Sequence, residues 1–428
     1  MKLSRMKLGK LRPVSRLYVA SVLLIHLLVV WNARDLILKG YPDFTIYYTA
    51  GTIVRQGMGH TLYDNGVQFQ VQRAFAPQVA TRLGALPFNH PPFEAVLFVP
   101  FAYFPYRLAY LLWGLVNLAM LTALPILLRP HVPVLRDWPA PAWTVTAVSL
   151  AFFPIFFALL QGQDAILLLF LYSLVFVAWK KKRLASAGAW LACGMFKFHL
   201  VLLFLLLMLI QEKTAQGRKR ILTGFLGVSV ILVAVSVVAV GTQEIISYPH
   251  YVLGLEKTMA GGAINPSDMP NLRGFLYLIA GNHRYFDLLV ISLSVVLVLV
   301  AAWVSDIPAR GLPDDSTSDL KFCVAVFACV LVSYHALVHD LCVLALPVLL
   351  LVGQLGSKIR VSSWPGVAIS AGLAGLLFSP LQLVLLMRYD RLAWLGLAVL
   401  LCFVGVGGEL KSRGQRAWGQ DFIRNEED

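Results

Sequence analysis

Asp43 is the residue whose surroundings most clearly suggest chemistry, because its carboxyl group lies among the aromatic side chains of residues 41–48. A carboxylate with apolar neighbours makes a good base near neutral pH, so Asp43 is a candidate general base. Tyr47 and Tyr48 could stack on sugar rings or lie at the level of the lipid headgroups. The alternative, with equal weight, is an interfacial aromatic belt in which Asp43 caps a helix.

Two further polar segments lie between apolar runs and could contact a substrate. His90 precedes Pro91-Pro92, a stiff pair that begins a helix. Its imidazole could contact a phosphate or an acceptor hydroxyl, although a surface histidine is the more common case. Gln163 and Asp164 lie in a short polar turn, where they could bind hydroxyl groups. A polar hairpin cap between two membrane spans explains this turn equally well.

Ionisable residues next to apolar runs are costly in a membrane and are usually functional. Lys197 is one, and a phosphate group is the natural partner for its point charge, with a snorkelling lysine as the alternative. His335 and His339 are four residues apart, so on a helix they share one face, with Asp340 adjacent. Because no HExxH motif or further ligand set accompanies them, proton transfer or phosphate binding is favoured. We expect no metal site and no cofactor.

The composition indicates an integral membrane protein. It has 428 residues, 58% hydrophobic and only 14% charged, and its mean hydropathy is +0.74. A soluble domain is nearer ~45–50% apolar and ~25% charged. The net charge of +14 could suggest nucleic acid, but the Lys and Arg residues lie in short clusters between apolar runs, as topology signals do. The composition therefore argues against a soluble enzyme and against nucleic-acid binding.

The cysteines do not suggest a further site, and the common nucleotide-binding motifs are missing from the sequence. All five cysteines lie inside apolar runs without CxxC spacing, which predicts packing residues, not disulfides or a thiolate metal site. The sequence has no P-loop, no GxGxxG after a strand and no GxSxG. An activated donor must therefore be reached from the membrane or from its external face.

Basic clusters predict how the chain crosses the membrane. The positive-inside rule places six of them in the cytoplasm: the N-terminus and residues 129–136, 180–183, 218–220, 358–360 and 411–416. Twelve apolar runs then fit between the clusters without a parity conflict. These predicted spans are 17–32, 106–128, 142–160, 163–179, 184–197, 199–212, 220–241, 286–304, 321–334, 340–354, 364–386 and 391–409.

Two regions bear on this number of spans. Residues 93–104 are apolar but are bracketed by prolines, which predicts a short interfacial or re-entrant helix. The runs within 184–212 are short and could be one tilted helix, but the basic cluster that follows favours two spans. The first run follows a basic N-terminus without a nearby cleavage site, so we expect an uncleaved anchor.

The topology predicts an all-α polytopic membrane protein, a single integral membrane domain over residues 1–428. A large external first loop covers 33–92, and a second external loop covers 242–285 and contains Asn271 and Arg273. Residues 410–428 form a cytoplasmic tail. The candidate polar residues all fall on the external face, which predicts a site at the external membrane surface.

These elements, taken in order, resemble glycosyltransferase family 87, a bacterial branch of the multi-spanning GT-C glycosyltransferases. The resemblance extends from about residue 40 to residue 350. The matching pieces are Asp43-Phe44 with Tyr47-Tyr48, residues 59–64, Pro91-Pro92, Leu112-Trp113 with Asn117, Gly162-Gln163-Asp164, Ala187-Gly188, Lys197, residues 270–274 and residues 333–341. The chain departs from the family pattern at Asp164, where Asn is frequent, and at Phe198, where Pro is frequent.

The resemblance implies a GT-C fold and a reaction. Such enzymes transfer a sugar, often mannose, from a polyprenyl-phosphate carrier to a lipid or glycan acceptor outside the bacterial cytoplasmic membrane, inverting the anomeric centre. The family's general base corresponds to Asp43, and its lysine and late histidine correspond to Lys197 and His335. His335 would be catalytic and, with Lys197 and Arg273, would stabilise the charge that develops on the leaving phosphate. The residues expected to bind the donor phosphate are Lys197, Arg273 and His339. The residues expected to contact the acceptor or the sugar are Tyr47, Tyr48, His90, Gln163, Asp164 and Asn271.

Two other functions compete with this one. A transporter or flippase of lipid-linked sugars would need polar residues deep in spans of both halves, and few polar residues fall mid-span. No internal repeat of the kind found in many transporters is visible. A noncatalytic membrane scaffold would tolerate replacement of Asp43, Lys197 and His335.

Overall fold

The structure is a computed structural model that describes residues 2–137, 141–259, 265–307 and 315–427. Helices make up 82% of it, and every regular element in those residues is helical. A helix satisfies its backbone hydrogen bonds internally, which is why apolar segments in hydrocarbon fold this way. The all-α prediction is confirmed. Residues 260–264 of the predicted second loop lie outside the described ranges.

The described residues form a series of helices. In chain order these are α1 (Lys2–Leu38), α2 (Phe44–Arg55), α3 (Asn65–Phe75), α4 (Pro77–Leu83), α5 (Pro92–Phe98), α6 (Tyr106–Leu128), α7 (Pro133–Arg136), α8 (Ala142–Leu150), α9 (Phe153–Gln161), α10 (Ala165–Lys180), α11 (Leu184–Cys193), α12 (Phe198–Gln211), α13 (Ala215–Val240), α14 (Thr242–Met259), α15 (Leu272–Ala280), α16 (Phe286–Asp306), α17 (Asp315–Val332), α18 (Ala345–Gln354), α19 (Trp364–Leu377), α20 (Ser379–Val384) and α21 (Leu395–Glu427).

Fewer helices than predicted can cross a bilayer. Five are long and apolar enough: α1, α6, α13, α16 and α21. Three bent pairs could add one span each: α8 with α9 (80°), α11 with α12 (64°) and α19 with α20 (59°). The described residues therefore give five to eight spans, and the twelve-span topology is not confirmed. The predicted spans 184–197 and 199–212 are the two halves of one bent pair.

Prolines and short helices explain part of this difference. Pro154 stands in the first turn of α9 and Pro380 in the first turn of α20, positions where proline begins a new helix. The 16 residues of α10 extend only ~24 Å, less than the ~30 Å hydrocarbon core. An apolar run in the sequence is therefore not always one straight span.

The predicted first loop, residues 33–92, begins inside α1, which continues to Leu38, and most of its remainder is folded into helices α2 to α4. Asp64 caps α3, since its carboxylate oxygen accepts hydrogen bonds from the backbone N–H groups of Gly66 and Val67 at 2.7 and 3.1 Å. The aromatic residues of α2 pack against α5 and α6 in a buried cluster. Residues 93–104 form the short α5 and the 3-10 turn Phe101–Tyr103, as their bracketing prolines predict.

Glycines allow the helices to approach closely. A Cβ atom on Gly188 of α11 would lie 2.0 Å from the Ile221 carbonyl oxygen of α13. One on Gly224 of α13 would lie 1.9 Å from the Ala185 carbonyl oxygen of α11. Small residues at such crossings are typical of membrane helix packing.

The helix breaks converge on one region. Gln163 and Asp164 lie in the turn between α9 and α10, and Lys197 lies at the bend between α11 and α12. Asp340 lies in the 3-10 segment Val338–Leu344 that follows α17, and His90 directly precedes α5. Non-helical backbone within a membrane protein is tolerated where protein buries it or where it lines a cavity. These breaks therefore place polar groups inside the bundle.

Candidate functional site

Asp43 occupies the N-cap position of α2 but does not cap it. The side chain makes no hydrogen bond to the helix. Its Oδ2 atom instead accepts a hydrogen bond from Gln163 Nε2 at 2.6 Å, and its backbone N–H donates to Gln161 Oε1 at 3.2 Å. Asp43 is partly exposed. The helix-capping alternative for Asp43 is therefore wrong, and its carboxylate faces the α9–α10 turn.

Gln163 is held in one orientation. The Tyr47 hydroxyl donates to Gln163 Oε1 at 2.7 Å, and Tyr47 is completely buried. The amide oxygen thus faces Tyr47 and the amide nitrogen faces Asp43. Both polar atoms of Gln163 make a hydrogen bond inside the protein, so in this structure the side chain holds the Asp43 carboxylate.

The turn that carries Gln163 is itself fixed by close packing. Gly162 has φ +62°, the left-handed region that glycine adopts without strain. A Cβ atom there would lie 2.7 Å from the Cβ atom of Phe44, and the Gly162 carbonyl accepts a hydrogen bond from Trp113 Nε1 at 2.9 Å. The turn is therefore locked between α2 and α6.

Lys197 forms the centre of a buried ion-pair cluster. Its Nζ atom lies 3.0 Å from Asp164 Oδ1 and 2.9 Å from Asp340 Oδ1, and all three side chains are at most 5% exposed. The Asp340 Oδ2 atom accepts the Leu337 backbone N–H at 2.8 Å. Lys197 is thus neutralised by carboxylates, whereas the sequence suggested a phosphate as its partner.

His90 and Glu94 extend this cluster. His90 Nδ1 lies 2.8 Å from Glu94 Oε2 and 3.8 Å from Asp164 Oδ2. Burial lowers the pKa of His90 to about 4, and burial raises the pKa of Glu94, helped by the neighbouring Asp164 charge. The sequence analysis did not identify Glu94. A signal was present, because Glu94 follows His90 by one helical turn and interrupts an otherwise apolar run.

The two late histidines do not share a helix face. Helix α17 ends at Val332 and the 3-10 segment begins at Val338, so His335 lies in the turn between them. The prediction of a single helical face is wrong because the chain breaks at this point. His339 is buried, with Nε2 3.7 Å from Asp340 Oδ1, and burial lowers the pKa of His335. Both histidines still lie beside the Lys197 cluster.

Asn271 and Arg273 lie at the start of α15. Asn271 is fully buried, accepts the Gly274 backbone N–H at 2.9 Å and donates to the Ser333 carbonyl at 2.6 Å. It thereby holds α15 to the end of α17. The Arg273 guanidinium lies 3.9 Å from the centroid of the Tyr334 ring. Its Nε atom is buried without a hydrogen-bond partner among the described residues.

An apolar groove begins at Arg273 and follows α16 and α17. Its cavity volume is about 320 Å³. The lining is aliphatic apart from Arg273, Tyr334 and two serines. The residues that line it are Arg273, Val290, Ile291, Ser294, Val295, Val298, Leu299, Leu331, Val332, Ser333 and Tyr334. A ligand with an apolar chain and an anionic end would match this distribution of charge.

Most of the predicted site residues therefore meet in two adjoining places. Tyr48 is the main exception, because its hydroxyl donates to the Phe104 carbonyl at 2.8 Å within the aromatic packing of α2. The first place is the buried polar cluster, defined as Asp43, Tyr47, His90, Glu94, Gln163, Asp164, Lys197, His339 and Asp340. The second is the groove that Arg273 closes, beside which Asn271 and His335 lie.

Fold and site together define a polytopic helical membrane protein with a buried polar cluster beside an apolar groove. The model of glycosyltransferase family 87 matches residues 88–333, more than half of the chain. The chain belongs to this family and is therefore a membrane glycosyltransferase. Comparison with curated proteins and with solved structures gives no match. Asp43 precedes the matched range, and Gln163 within the range binds it.

Proposed function

We propose that the chain transfers a hexose, with mannose as the first candidate, from a polyprenyl-phosphate donor to a lipid or glycan acceptor. The reaction would take place at the external face of the bacterial cytoplasmic membrane, with Asp43 as general base. One observation carries the proposal: Gln163 holds the Asp43 carboxylate beside the polar cluster, although this residue stands at a helix start where it could serve as a cap.

The proposed step is a single in-line displacement. Asp43 takes the proton of the acceptor hydroxyl while the acceptor oxygen bonds to the anomeric carbon. The bond between that carbon and the phosphate oxygen breaks, and the polyprenyl phosphate leaves with the electron pair. One displacement inverts the anomeric centre. The phosphate leaves as a stable anion, so no protonating acid of the kind that glycosidases use is required.

The groove supports a donor with a lipid tail. Its aliphatic walls suit an isoprenoid chain, and Arg273 at its end can bind phosphate oxygens with two N–H groups. Lys197 is buried behind two carboxylates, so Arg273 is the better candidate for direct contact with the phosphate. Lys197 and His335 would then act on the developing negative charge from a greater distance.

The test compares wild type with Asp43→Asn in lipid nanodiscs, using radiolabelled polyprenyl-phosphate mannose as donor and native lipid extract as acceptor. Removal of a general base typically costs ~10²–10⁴-fold in rate. We expect that loss for Asp43→Asn with unchanged thermal unfolding. The matched control is Asp64→Asn in the same segment, because asparagine also caps a helix well and transfer should persist.

The other outcomes are equally informative. Equal transfer by wild type and Asp43→Asn would remove Asp43 as the base. Transfer from a nucleotide mannose, but not from the lipid donor, would contradict the polyprenyl-phosphate proposal. Movement of a lipid-linked sugar across the bilayer without transfer would favour a flippase.

A further inference from the structure

The polar cluster carries more negative than positive charge. Glu94, Asp164 and Asp340 are at most 2% exposed, and Lys197 is the only lysine or arginine that pairs with any of them in the described part of the chain. With all three carboxyl groups ionised, two negative charges remain uncompensated. Burying an uncompensated charge is very costly, so a further positive charge or bound protons must accompany this arrangement.

The atoms that lack partners converge. Asp164 Oδ1 has the Lys197 ammonium as its partner, but neither Glu94 oxygen nor Asp164 Oδ2 has an aligned hydrogen-bond donor among the described residues, although His90 Nδ1 is only 2.8 Å from Glu94 Oε2. His90, Glu94 and Asp164 each have one potential ligand atom, and these three atoms lie within 4.8 Å of one another. The imidazole nitrogen therefore faces carboxylate oxygens without an aligned hydrogen bond.

Asp164 divides its two oxygens between different partners. Oδ1 lies 3.0 Å from Lys197 Nζ, whereas Oδ2 is the atom that faces His90 Nδ1 at 3.8 Å. Lys197 thus occupies the far side of Asp164 and leaves the side toward His90 and Glu94 available. Charged groups behind a ligand, arranged in this way, orient metal-binding side chains in proteins.

We propose that His90, Glu94 and Asp164 bind a divalent cation of the zinc or manganese type. A neutral imidazole with two carboxylates is a donor set that suits these metals. A charge of plus two would balance the two uncompensated negative charges. It would also connect the α9–α10 turn, which carries Gln163, to the start of α5. The proposal concerns binding to the folded protein and does not depend on the transfer reaction.

The competing explanation is a proton on Glu94, shared with Asp164. Glu94→Gln separates the two explanations, because glutamine mimics a neutral carboxylic acid but is a poor ligand for these cations. With a shared proton, the variant would unfold like wild type and metal would have no effect on either protein. With a bound metal, the variant would lose the metal-dependent part of its stability.

The experiment uses untagged full-length protein in nanodiscs, stripped with EDTA and titrated with Mn²⁺ or Zn²⁺. Bound Mn²⁺ is followed by electron paramagnetic resonance and bound Zn²⁺ by elemental analysis, with thermal unfolding measured in parallel. We expect one saturable ion per wild-type chain and a higher Tm with metal. Glu94→Gln and His90→Gln should each weaken binding by about tenfold or more, the loss typical of metal-site substitutions.

Glu244→Gln is the control, since Glu244 is a partly exposed glutamate at the start of α14. It should bind metal like wild type. Absence of saturable binding and of a Tm shift in wild type would overturn the proposal. Binding that survives both Glu94→Gln and His90→Gln would overturn the assignment to these residues. If Glu94→Gln does not fold, the wild-type titration and His90→Gln decide the question.

Discussion

The two ends of α10 contain buried charges that are arranged in opposite ways. Lys180 ends the helix and pairs with Asp319 of α17 at 2.6 Å. Nearby, Arg413 donates to Glu409 at 2.9 Å and to Ser316 at 2.9 Å. Lys180 and Arg413 thus each have a carboxylate partner. At the other end, Asp164 shares the single Lys197 with Asp340, and Glu94 adds a third carboxylate.

This difference separates a structural use of charge from a functional one. A balanced pair such as Lys180 with Asp319 joins two helices, and apolar residues can often replace such a pair without loss of stability. An unbalanced cluster lowers stability by itself, so its presence indicates a use other than stability. Asp43 and Gln163 lie beside the unbalanced end, which supports placing the chemistry there.

Loss of the only ammonium in the unbalanced cluster should have the largest effect on stability. Lys197→Met would leave Asp164 and Asp340 without their cation, and breaking a buried pair in this way costs ~3–5 kcal/mol. The free energy of unfolding in mixed SDS micelles would measure the loss. Lys213→Met is the control, since Lys213 pairs with Asp306 at an exposed site where ion pairs contribute little.

A small effect of Lys197→Met would also be informative. It would mean that the carboxylates at this end are already neutralised by protons or by another cation. The two ends of α10 would then differ less in charge than their side chains suggest.

Gln163 should affect transfer more than stability. Gln163→Leu removes the hydrogen bond to the Asp43 carboxylate, and a misplaced catalytic group can cost ~10²-fold in rate. Tyr47→Phe removes only the hydrogen bond that holds the Gln163 amide. Loss of a hydrogen bond that contributes ~1 kcal/mol predicts about a fivefold fall in kcat. We expect kcat to fall in that order, with KM for the donor unchanged.

Thr52→Ala is the control for these variants, because the Thr52 hydroxyl donates only to the Tyr48 carbonyl within α2. A fall in kcat of the same size in this variant would mean that general loosening of α2 is responsible. An equal effect of Gln163→Leu on KM and kcat would contradict a role confined to holding the base.

The sequence predicted which polar residues come together better than how they pair. The polar residues stand out because they interrupt apolar runs, and Asp43, Gln163, Asp164 and Lys197 do converge. Their partners come from helix breaks that are far apart in sequence, as with Asp43 and Gln163 at 120 residues, and no local pattern specifies them. Glu94 was missed although its spacing from His90 was a local signal, whereas Lys197 was assigned a phosphate because its two carboxylates are distant in sequence.

The membrane topology was less predictable than the fold class. Long continuous apolar runs are typical of helices in lipid, so the all-α class follows directly from them. Counting spans from apolar runs fails where a run bends, as at the junction of α11 and α12. The His335–His339 spacing failed similarly, since helical periodicity applies only where the helix continues.

The smallest expected effect on stability comes from another acidic pair, Asp268 and Asp390, because solvent reaches it. Burial and the neighbouring Asp390 carboxyl raise the pKa of Asp268 to about 7. The folded protein therefore holds this proton more tightly than the unfolded chain, whose aspartates titrate near ~4. The resulting stability is present below about pH 4 and is lost as the pH rises toward 7.

Asp268→Asn should remove this pH dependence and make the protein relatively more stable at pH 8. The expected gain is below ~1 kcal/mol, since a partly exposed group is screened by solvent. Thermal unfolding between pH 5 and pH 8 would measure it, with the exposed Asp287→Asn as control. A larger gain in stability would mean that solvent does not screen the repulsion between Asp268 and Asp390. Exposure to solvent would then not explain why the Asp268–Asp390 pair has a smaller effect on stability than the polar cluster around Lys197. The excess negative charge of that cluster would also be less unusual in this protein.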